Sequence, residues 1–180
     1  MKNIRVAKRY ALAMFNSAKE MNILDTVRTD VALIEKYMHV SHEFRAVMHS
    51  PIIQAWRKKG ILKELLEKDV HGFTLSFMEL LCDKGREDLH TEIFNQFTEL
   101  YNVHNRLLPI VVTSAVALTD SAKSSLENNI QTKTAMKPIA TYKIDADLKG
   151  GLTVLVGDTL LDNSVRSQLD RLYHSLQSGL

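Results

Sequence analysis

The spacing of apolar residues changes its period once along this chain, at Leu107-Leu108-Pro109. Before that point apolar side chains recur every three or four residues, which is typical of helices that bury one face. After it come short β-branched or alternating segments, which are typical of strands. The change predicts an α+β protein in two parts: an all-helical domain over residues 1–106 and a small α/β domain over residues 107–180.

Six helices are predicted in the first part, with connections short enough for a compact six-helix bundle. The first covers about 4–20, the second begins at Asn22 or Asp25, and the third is capped by Ser41. That third helix ends near Ser50-Pro51, because proline disfavours a helical residue before it. The remaining helices cover about 53–68, 71–84 and 87–106. The residues predicted to face the core of the first two helices are Ile4, Ala7, Ala11, Met14, Ala18, Val27, Val31, Ile34 and Met38.

The second part is predicted to hold a three- to four-stranded sheet and two helices. The strands that the pattern places are 110–116, 139–144 and 152–156. One helix covers about 120–134 and is capped by Thr119 or Asp120. The last covers about 163–178 and carries its apolar residues on one face: Val165, Leu169, Leu172, Tyr173 and Leu176.

Composition excludes several classes of protein. The net charge is +2, from 23 basic and 21 acidic residues, which is too balanced for a nucleic-acid-binding face. The one short basic run, Trp56-Arg57-Lys58-Lys59, is interpreted as the solvated face of a helix with Trp56 partly packed. A single cysteine, Cys82, lies in an apolar helical segment and is predicted to be a core residue. No segment approaches the roughly 20 apolar residues of a membrane span, so we expect a cytoplasmic protein without direct membrane insertion.

The polar residues predict no catalytic or metal site. Gly150, Gly151 and Gly157 lack the lysine and the hydroxyl residue that a phosphate-binding loop requires, and they fit turns that need positive φ, such as a hairpin. Asp158, Asp162 and Asp170 have no histidine or further acid at ligand spacing. Instead Asp162, Asn163 and Ser164 stand directly before a helix, where they can cap it.

The histidines are scattered along the chain. His39 and His42 are three residues apart and His49 follows, but a zinc site would need further ligands. They are interpreted as solvated turn residues. The sequence therefore predicts no cofactor, no metal ion and no enzymatic activity.

Helices one and five each carry a second apolar or small-residue row. On helix one the row is Val6, Tyr10, Ala13 and Ser17, and on helix five Phe73, Phe77 and Leu80 form one row and Leu75, Met78 and Cys82 another. A helix on the outside of a bundle needs only one apolar stripe. Two stripes fit either a central helix or a groove that binds an amphipathic partner helix, and the pattern alone leaves both open.

Three segments together resemble a known family. They are Arg9–Phe15, Gly85-Arg86 after helix five, and the stretch from Gly150 to Leu169. This last stretch combines a glycine pair, an apolar strand, Gly157-Asp158 and the pattern Asp-x-Ser-Val-Arg-x-x-Leu. The chain resembles the delta subunit of bacterial F-type ATP synthase, whose mitochondrial counterpart is the oligomycin sensitivity-conferring protein.

The resemblance implies a non-catalytic connector that occurs once per complex and is attached to the bacterial inner membrane through that complex. Helices one and five would bind the N-terminal helix of an alpha subunit, so the groove residues are expected to be Val6, Tyr10, Ala13, Phe77 and Leu80. The C-terminal domain would hold the C-terminal end of the b-subunit stalk, with the last helix and the strand edges as candidate contacts. A generic helical adaptor is the alternative, and it would share the groove but not the Gly150–Arg166 pattern.

Arg166 is unusual for its position. It falls in the first turn of the last helix, where a cation opposes the helix dipole. An acidic partner is therefore expected, either Asp158 or Asp162 within the chain or a carboxylate on the stalk. The internal pair is favoured because both acids are close in sequence. Gly150, Gly151, Gly157, Asp162, Ser164 and Arg166 are thus predicted to be architectural residues.

Overall fold

The chain divides into two compact units, one ending at Tyr101 and the other beginning at Asn102. The structure, a computed structural model, describes residues 2–50 and 52–178. The predicted break at Pro51 lies outside these residues. The sequence predicts the domain boundary at 106, where helical periodicity ends. In the structure the boundary falls after Tyr101, within the helix that ends at His104.

The described residues up to His104 are mainly helical, in segments close to those predicted. The helices among the described residues are α1 (Lys2–Glu20), α2 (Leu24–Val40), α3 (His42–His49), α4 (Ala55–Leu66), α5 (Gly72–Asp83) and α6 (His90–His104). A 3-10 turn, Glu87–Leu89, precedes α6. Ser41 caps α3 as predicted, because its hydroxyl accepts a hydrogen bond from the Phe44 backbone N–H at 3.1 Å.

The core of the first unit contains most of the predicted apolar rows. Ala7, Ala11, Met14 and Ala18 of α1 and Val27, Val31, Ile34 and Met38 of α2 are buried, and Phe94 and Phe97 of α6 pack into the same cluster. Cys82 is buried there too, and burial raises the pKa of its thiol to about 11. Ile4 was predicted to be a core residue but is 58% exposed, because it lies in the first turn of α1, before Ala7, the first buried residue of this helix.

Three lysines of α4 are paired with acids on the elements that follow. Lys58 is buried, and its ammonium donates to Glu87 and to the Met48 carbonyl, which ties α4 to the end of α3. Lys59 pairs with Asp83, and Lys63 with Glu79 at 3.5 Å. The interpretation of Trp56–Lys59 as a solvated helix face with Trp56 partly packed is therefore wrong at Lys58. Trp56 is 64% exposed and lies beneath the Arg57 guanidinium.

The second unit is a four-stranded sheet with helices. Its described elements are β1 (Leu107–Ser114), α7 (Asp120–Thr134), β2 (Lys137–Ile144), a 3-10 turn (Ala146–Leu148), β3 (Leu152–Val156), β4 (Thr159–Asp162) and α8 (Val165–Ser178). The strand order is β2-β1-β3-β4. β1 and β2 are parallel because α7 crosses between them, and the other two pairs are antiparallel. The Thr119 hydroxyl caps α7 by accepting from the Ala122 N–H.

One face of this sheet is partly covered by α7. Ile110, Val112 and Val154 form a small buried core, and Leu126 and Ile130 of α7 pack against it. The apolar face of α8 is different: Leu169, Leu172, Tyr173 and Leu176 are 48% to 71% exposed. An amphipathic helix was expected there, and the structure shows that its apolar face lies outside the core.

Candidate partner-binding surfaces

A groove of about 320 Å³ runs between α1 and α5. It is lined by Tyr10, Ala13, Met14 and Ser17 from α1 and by Phe73, Ser76, Phe77 and Leu80 from α5. These lining residues include no charged side chain. The groove therefore suits the apolar face of a helix better than it suits a charged ligand.

The structure separates the residues that support the core from those that border the groove. Met14 and Phe77 are buried and form its floor, whereas Ala13 is exposed and Leu80 is 42% exposed. Small side chains such as Ala13 leave room for another helix to approach. Of the five predicted groove residues, the structure brings Tyr10, Ala13, Phe77 and Leu80 together here. Val6 is half-buried, packs against the core, and does not line the groove.

The glycine pair lies against the start of α8. The Val165 N–H donates to the Gly150 carbonyl at 2.9 Å, and the Asn163 N–H donates to the Leu152 carbonyl at 3.1 Å. Gly151 has a φ of +74°, and a Cβ at this position would collide with the Asn163 carbonyl oxygen. The two halves of the Gly150–Leu169 pattern are thus in direct contact, which explains why a glycine pair accompanies a capping segment.

The prediction of positive φ is confirmed at Gly151 and Gly157, but the prediction of a hairpin at the glycine pair is wrong. Gly150 and Gly151 follow the crossing from β2 to β3, and Gly150 has no positive φ. The two-residue hairpin is instead Gly157-Asp158 between β3 and β4, where Gly157 has a φ of +57°.

Asp162 and Ser164 cap α8 as predicted. The Ser164 hydroxyl accepts from the Ser167 N–H at 3.2 Å, and Asp162 accepts from the Ser164 N–H and from the Ser167 hydroxyl. The hydrogen bond from the Ser167 hydroxyl, followed by those from Ser164, lowers the pKa of Asp162 to about 2. Both oxygens of this carboxylate therefore form hydrogen bonds at the start of α8.

Arg166 does not form the internal pair that was favoured. It is exposed, and no ion pair joins it to Asp158, Asp162 or any other residue that the structure describes. The cation that acts on the Asp162 carboxylate is Arg171, one turn further along α8. The reason is geometric, since the Asp162 carboxylate accepts from the Ser164 N–H and the Ser167 hydroxyl, whereas Arg166 is exposed.

A second apolar pocket, of about 420 Å³, lies between α7 and the β3–β4 side of the sheet. Its apolar lining is Leu126, Ile130, Leu152, Val154, Val156 and Leu161. Sequence reasoning named only the strand edges and the last helix for this unit. The missed signal is the low apolar content of α7: two apolar side chains facing the sheet cannot cover four strands.

Histidines gather around a third cavity, of about 430 Å³, near the ends of α2, α3 and the start of α6. His39, His42 and His49 are exposed as expected, but they lie in α2 and α3 and not in turns. His90 is 3% exposed, and its Nδ1–H donates to the Glu87 carbonyl. Across the described part of the chain, no three potential ligands are placed to hold a metal ion. No helix within that part is long and apolar enough to cross a membrane.

An uncharged groove between two helices of one unit and exposed apolar surfaces in the other are typical of a protein that binds other proteins. Comparison with known proteins gives its family. The family model of the ATP synthase delta (OSCP) subunit matches residues 6–176. The chain belongs to this family, which is a non-catalytic component of the ATP synthase complex.

Individual relatives are similar in sequence to this chain along nearly its whole length. ATP synthase subunit delta of Chlorobaculum parvum is 36% identical over 98% of this chain and 97% of its own. That of Symbiobacterium thermophilum is 33% identical over 99% and 96%. A chain of the Toxoplasma gondii mitochondrial ATP synthase hexamer has the same fold, with a TM-score of 0.74 over 95% of this chain and 97% of that one, at 21% identity.

Proposed function

We propose that this chain is the stator connector of an F-type ATP synthase. It joins the catalytic head to the b-subunit peripheral stalk, so that the head does not turn with the rotor and rotation stays coupled to ATP synthesis. Family membership supports this role. The observation that supports its binding of the head is the open, uncharged groove between α1 and α5. One copy acts per complex, on the cytoplasmic side of the inner membrane and attached to it through its partners.

The head-binding half is the six-helix bundle α1–α6, and its ligand is the N-terminal helix of an alpha subunit. A joint under torque must be tight, and nanomolar affinity corresponds to about −12 kcal/mol. Burying four or five apolar side chains, at roughly 1.5–3 kcal/mol each, is of the right gross size before association costs are subtracted. One apolar helix in this groove could therefore supply the main part of the joint.

The groove is tested with a peptide of the alpha-subunit N-terminal helix. Ala13→Arg places a long cation in the groove, and Tyr10→Asp places a carboxylate at its wall, so both should weaken binding by about tenfold or more. Leu12→Arg is the matched control, because Leu12 is exposed on α1 but does not line the groove. Calorimetry measures the affinities and circular dichroism the helix content. Wild-type affinity in folded Ala13→Arg and Tyr10→Asp would place the site elsewhere.

The stalk-binding half is the C-terminal unit, and its ligand is the C-terminal end of the b-subunit stalk. Support comes from the apolar residues that this unit exposes on β4 and α8, which are Leu160, Leu161, Leu169, Leu172 and Leu176. Affinity capture with the tagged chain from solubilised membranes should retain alpha, beta and b subunits together. Capture of the head subunits without the b subunit, at a salt concentration that keeps the complex intact, would contradict the binding of the C-terminal unit to the b subunit.

A further inference from the structure

The cavity of about 430 Å³ at the ends of α2 and α3 and the start of α6 is lined mainly by polar side chains, and most of its ionisable groups are basic. Its basic lining residues are His39, Arg45, His49 and His90, and the acid among the described lining residues is Glu35. None of these residues lines the groove between α1 and α5. The cavity is therefore a site separate from the one proposed for the head.

The Arg45 side chain is available to a ligand. It is half-buried in α3, and no ion pair joins it to Glu35 or to any other residue that the structure describes. A guanidinium presents planar N–H donors that match two oxygens of a phosphate group at once. A cleft whose arginine has no acidic partner therefore suits a phosphate group better than it suits a cation.

Two exposed imidazoles, those of His39 and His49, share the lining with this guanidinium. The His49 ring lies against His90, with 5.4 Å between the ring centroids. His90 forms the inner wall, because it is buried and its Nδ1–H donates to the Glu87 carbonyl. Burial also lowers the pKa of His90. The imidazoles that can meet an anion as cations are therefore the two exposed ones.

The cavity is larger than a phosphate group alone requires. A water molecule occupies about 30 Å³ in the liquid, so five heavy atoms need roughly 100–150 Å³. Thr91 and Asn95 add a hydroxyl and an amide to the lining, and both groups can bond the hydroxyls of a ligand. The remaining space thus suits a small polar body attached to the phosphate.

We propose that this cavity binds a small polar phosphate ester, whose phosphate group is held by the Arg45 guanidinium and the imidazoles of His39 and His49. The phosphate carries close to two negative charges at neutral pH, so its hydrogen bonds to these groups are charge-assisted. The hydroxyl and amide of Thr91 and Asn95 bind the polar body of the ester.

Glu35 makes the affinity depend on pH. Its carboxylate balances the charge of Arg45 while the imidazoles are neutral, and histidine side chains gain charge between about pH 8 and 5. Protons on His39 and His49 make the lining cationic, so the affinity for an anion should rise as the pH falls. The acids that act on the neighbouring His90 are Asp88 and Glu92, and neither lines the cavity.

The test measures the binding of glucose 6-phosphate to the full chain by calorimetry, with glucose and inorganic phosphate as comparison ligands. The wild type should bind glucose 6-phosphate with a dissociation constant below about 10 mM, and should bind glucose much more weakly. Inorganic phosphate that binds as tightly as the ester would overturn the ester in favour of free phosphate. Sulfate keeps both of its charges between about pH 7.5 and 5.5, so a rise in its affinity over this range reports protonation of the protein.

Variants of the lining have effects of opposite sign. Arg45→Gln should weaken binding by about tenfold or more, and Arg45→Lys should retain part of the affinity because it keeps the charge but loses the planar fork. Glu35→Gln should strengthen binding at neutral pH, since it removes the opposing carboxylate. His49→Gln should weaken binding below about pH 6.5 and flatten the pH dependence for sulfate.

Matched controls remove the same chemical groups outside the cavity. His42→Gln changes an exposed imidazole of α3, and Arg57→Gln removes an exposed guanidinium of α4. Both should bind glucose 6-phosphate as the wild type does, and circular dichroism should show that every variant is folded. The inference is overturned if the wild type shows no saturable binding, if glucose binds as tightly as its phosphate, or if folded Arg45→Gln keeps wild-type affinity.

Discussion

Gly151 is held in a backbone conformation that other residues rarely adopt. Its φ is +74°, and a Cβ there would meet the Asn163 carbonyl oxygen of the segment that caps α8. Gly151→Ala should therefore destabilise the chain by about 2 kcal/mol or more, from backbone strain together with the collision. Gly60→Ala is the opposite case: Gly60 lies within α4 with open space around it, so alanine should stabilise by about 0.5–1 kcal/mol. Urea denaturation of the two variants measures the difference, and equal effects would refute the strain.

His90 makes stability depend on pH. Burial lowers the pKa of its imidazole, and the neighbouring His49 lowers it further, whereas the Glu87 carbonyl, Glu92 and Asp88 raise it. The native state therefore keeps His90 neutral at pH values where the unfolded chain is already protonated, near 6.5. The contribution of neutral His90 to the stability of the fold is complete above about pH 6.5 and is lost as the pH falls below that value.

His90→Gln should lower stability at pH 7.5 but flatten its decline between about pH 7 and 5, where free histidine titrates. Thermal melts across this range measure the slope. His42→Gln serves as the control, because His42 is exposed and its removal should leave the slope in place. An unchanged slope in His90→Gln would show that other groups cause the decline.

Helix α4 is fixed by a buried charge. Lys58 is 1% exposed, and its ammonium joins Glu87 to the Met48 carbonyl at the end of α3. Lys58→Met should cost about 3–5 kcal/mol, because it leaves the Glu87 carboxylate without its cation. Lys59→Met removes an exposed pair with Asp83 and should change stability little. Chemical denaturation compares the two, and similar losses would indicate that Lys58 acts only through its packing.

Helix α8 depends on its cap because few of its apolar side chains are covered. Ser164→Ala removes the acceptor for the Ser167 N–H and should destabilise the C-terminal unit by about 1 kcal/mol. Asp162 adds a pH dependence: since its pKa is lowered to about 2, its support is complete above about pH 4 and is lost as the pH falls toward 2. Amide exchange in α8 checks both, and fraying unaffected by either change would contradict the role of the cap.

At the scale of the whole molecule, the two units should fold separately. Each has its own buried cluster, one around Met14 and Phe94 and the other around Val112. A fragment of residues 1–106 keeps α6 intact through His104, whereas a cut after Tyr101 would remove its last turn. We expect this fragment to unfold cooperatively, to bind the alpha-subunit peptide and to lose binding to the b subunit, and residues 107–180 to do the reverse. Calorimetry of both fragments checks the division, and an unstructured 1–106 fragment would contradict it.

The sequence by itself determined the local structure. The period of apolar residues located nearly all of the helices and three strands, because a helix or strand that buries one face repeats its apolar residues at a fixed spacing. The cap at Ser41 was predicted as well. For α7 the sequence left Thr119 or Asp120 open, and for α8 it left Asp162, Asn163 and Ser164 open; the structure shows that the hydroxyls of Thr119 and Ser164 accept from an amide three residues on. The second rows on α1 and α5 contain most of the residues that line the groove, but the pattern alone left a central helix equally open.

Only the tertiary structure decided which apolar face is covered and which charge is paired. The patterns of α1 and α8 are both amphipathic, yet Ala11 is buried and Leu172 is 61% exposed. Lys58 and Arg166 are both helical cations, yet one is enclosed beside Glu87 and the other lies free in the first turn of α8 among the described residues. Burial and pairing depend on residues distant in the chain, such as Gly150 beside Val165, and periodicity within one segment carries no information about those neighbours.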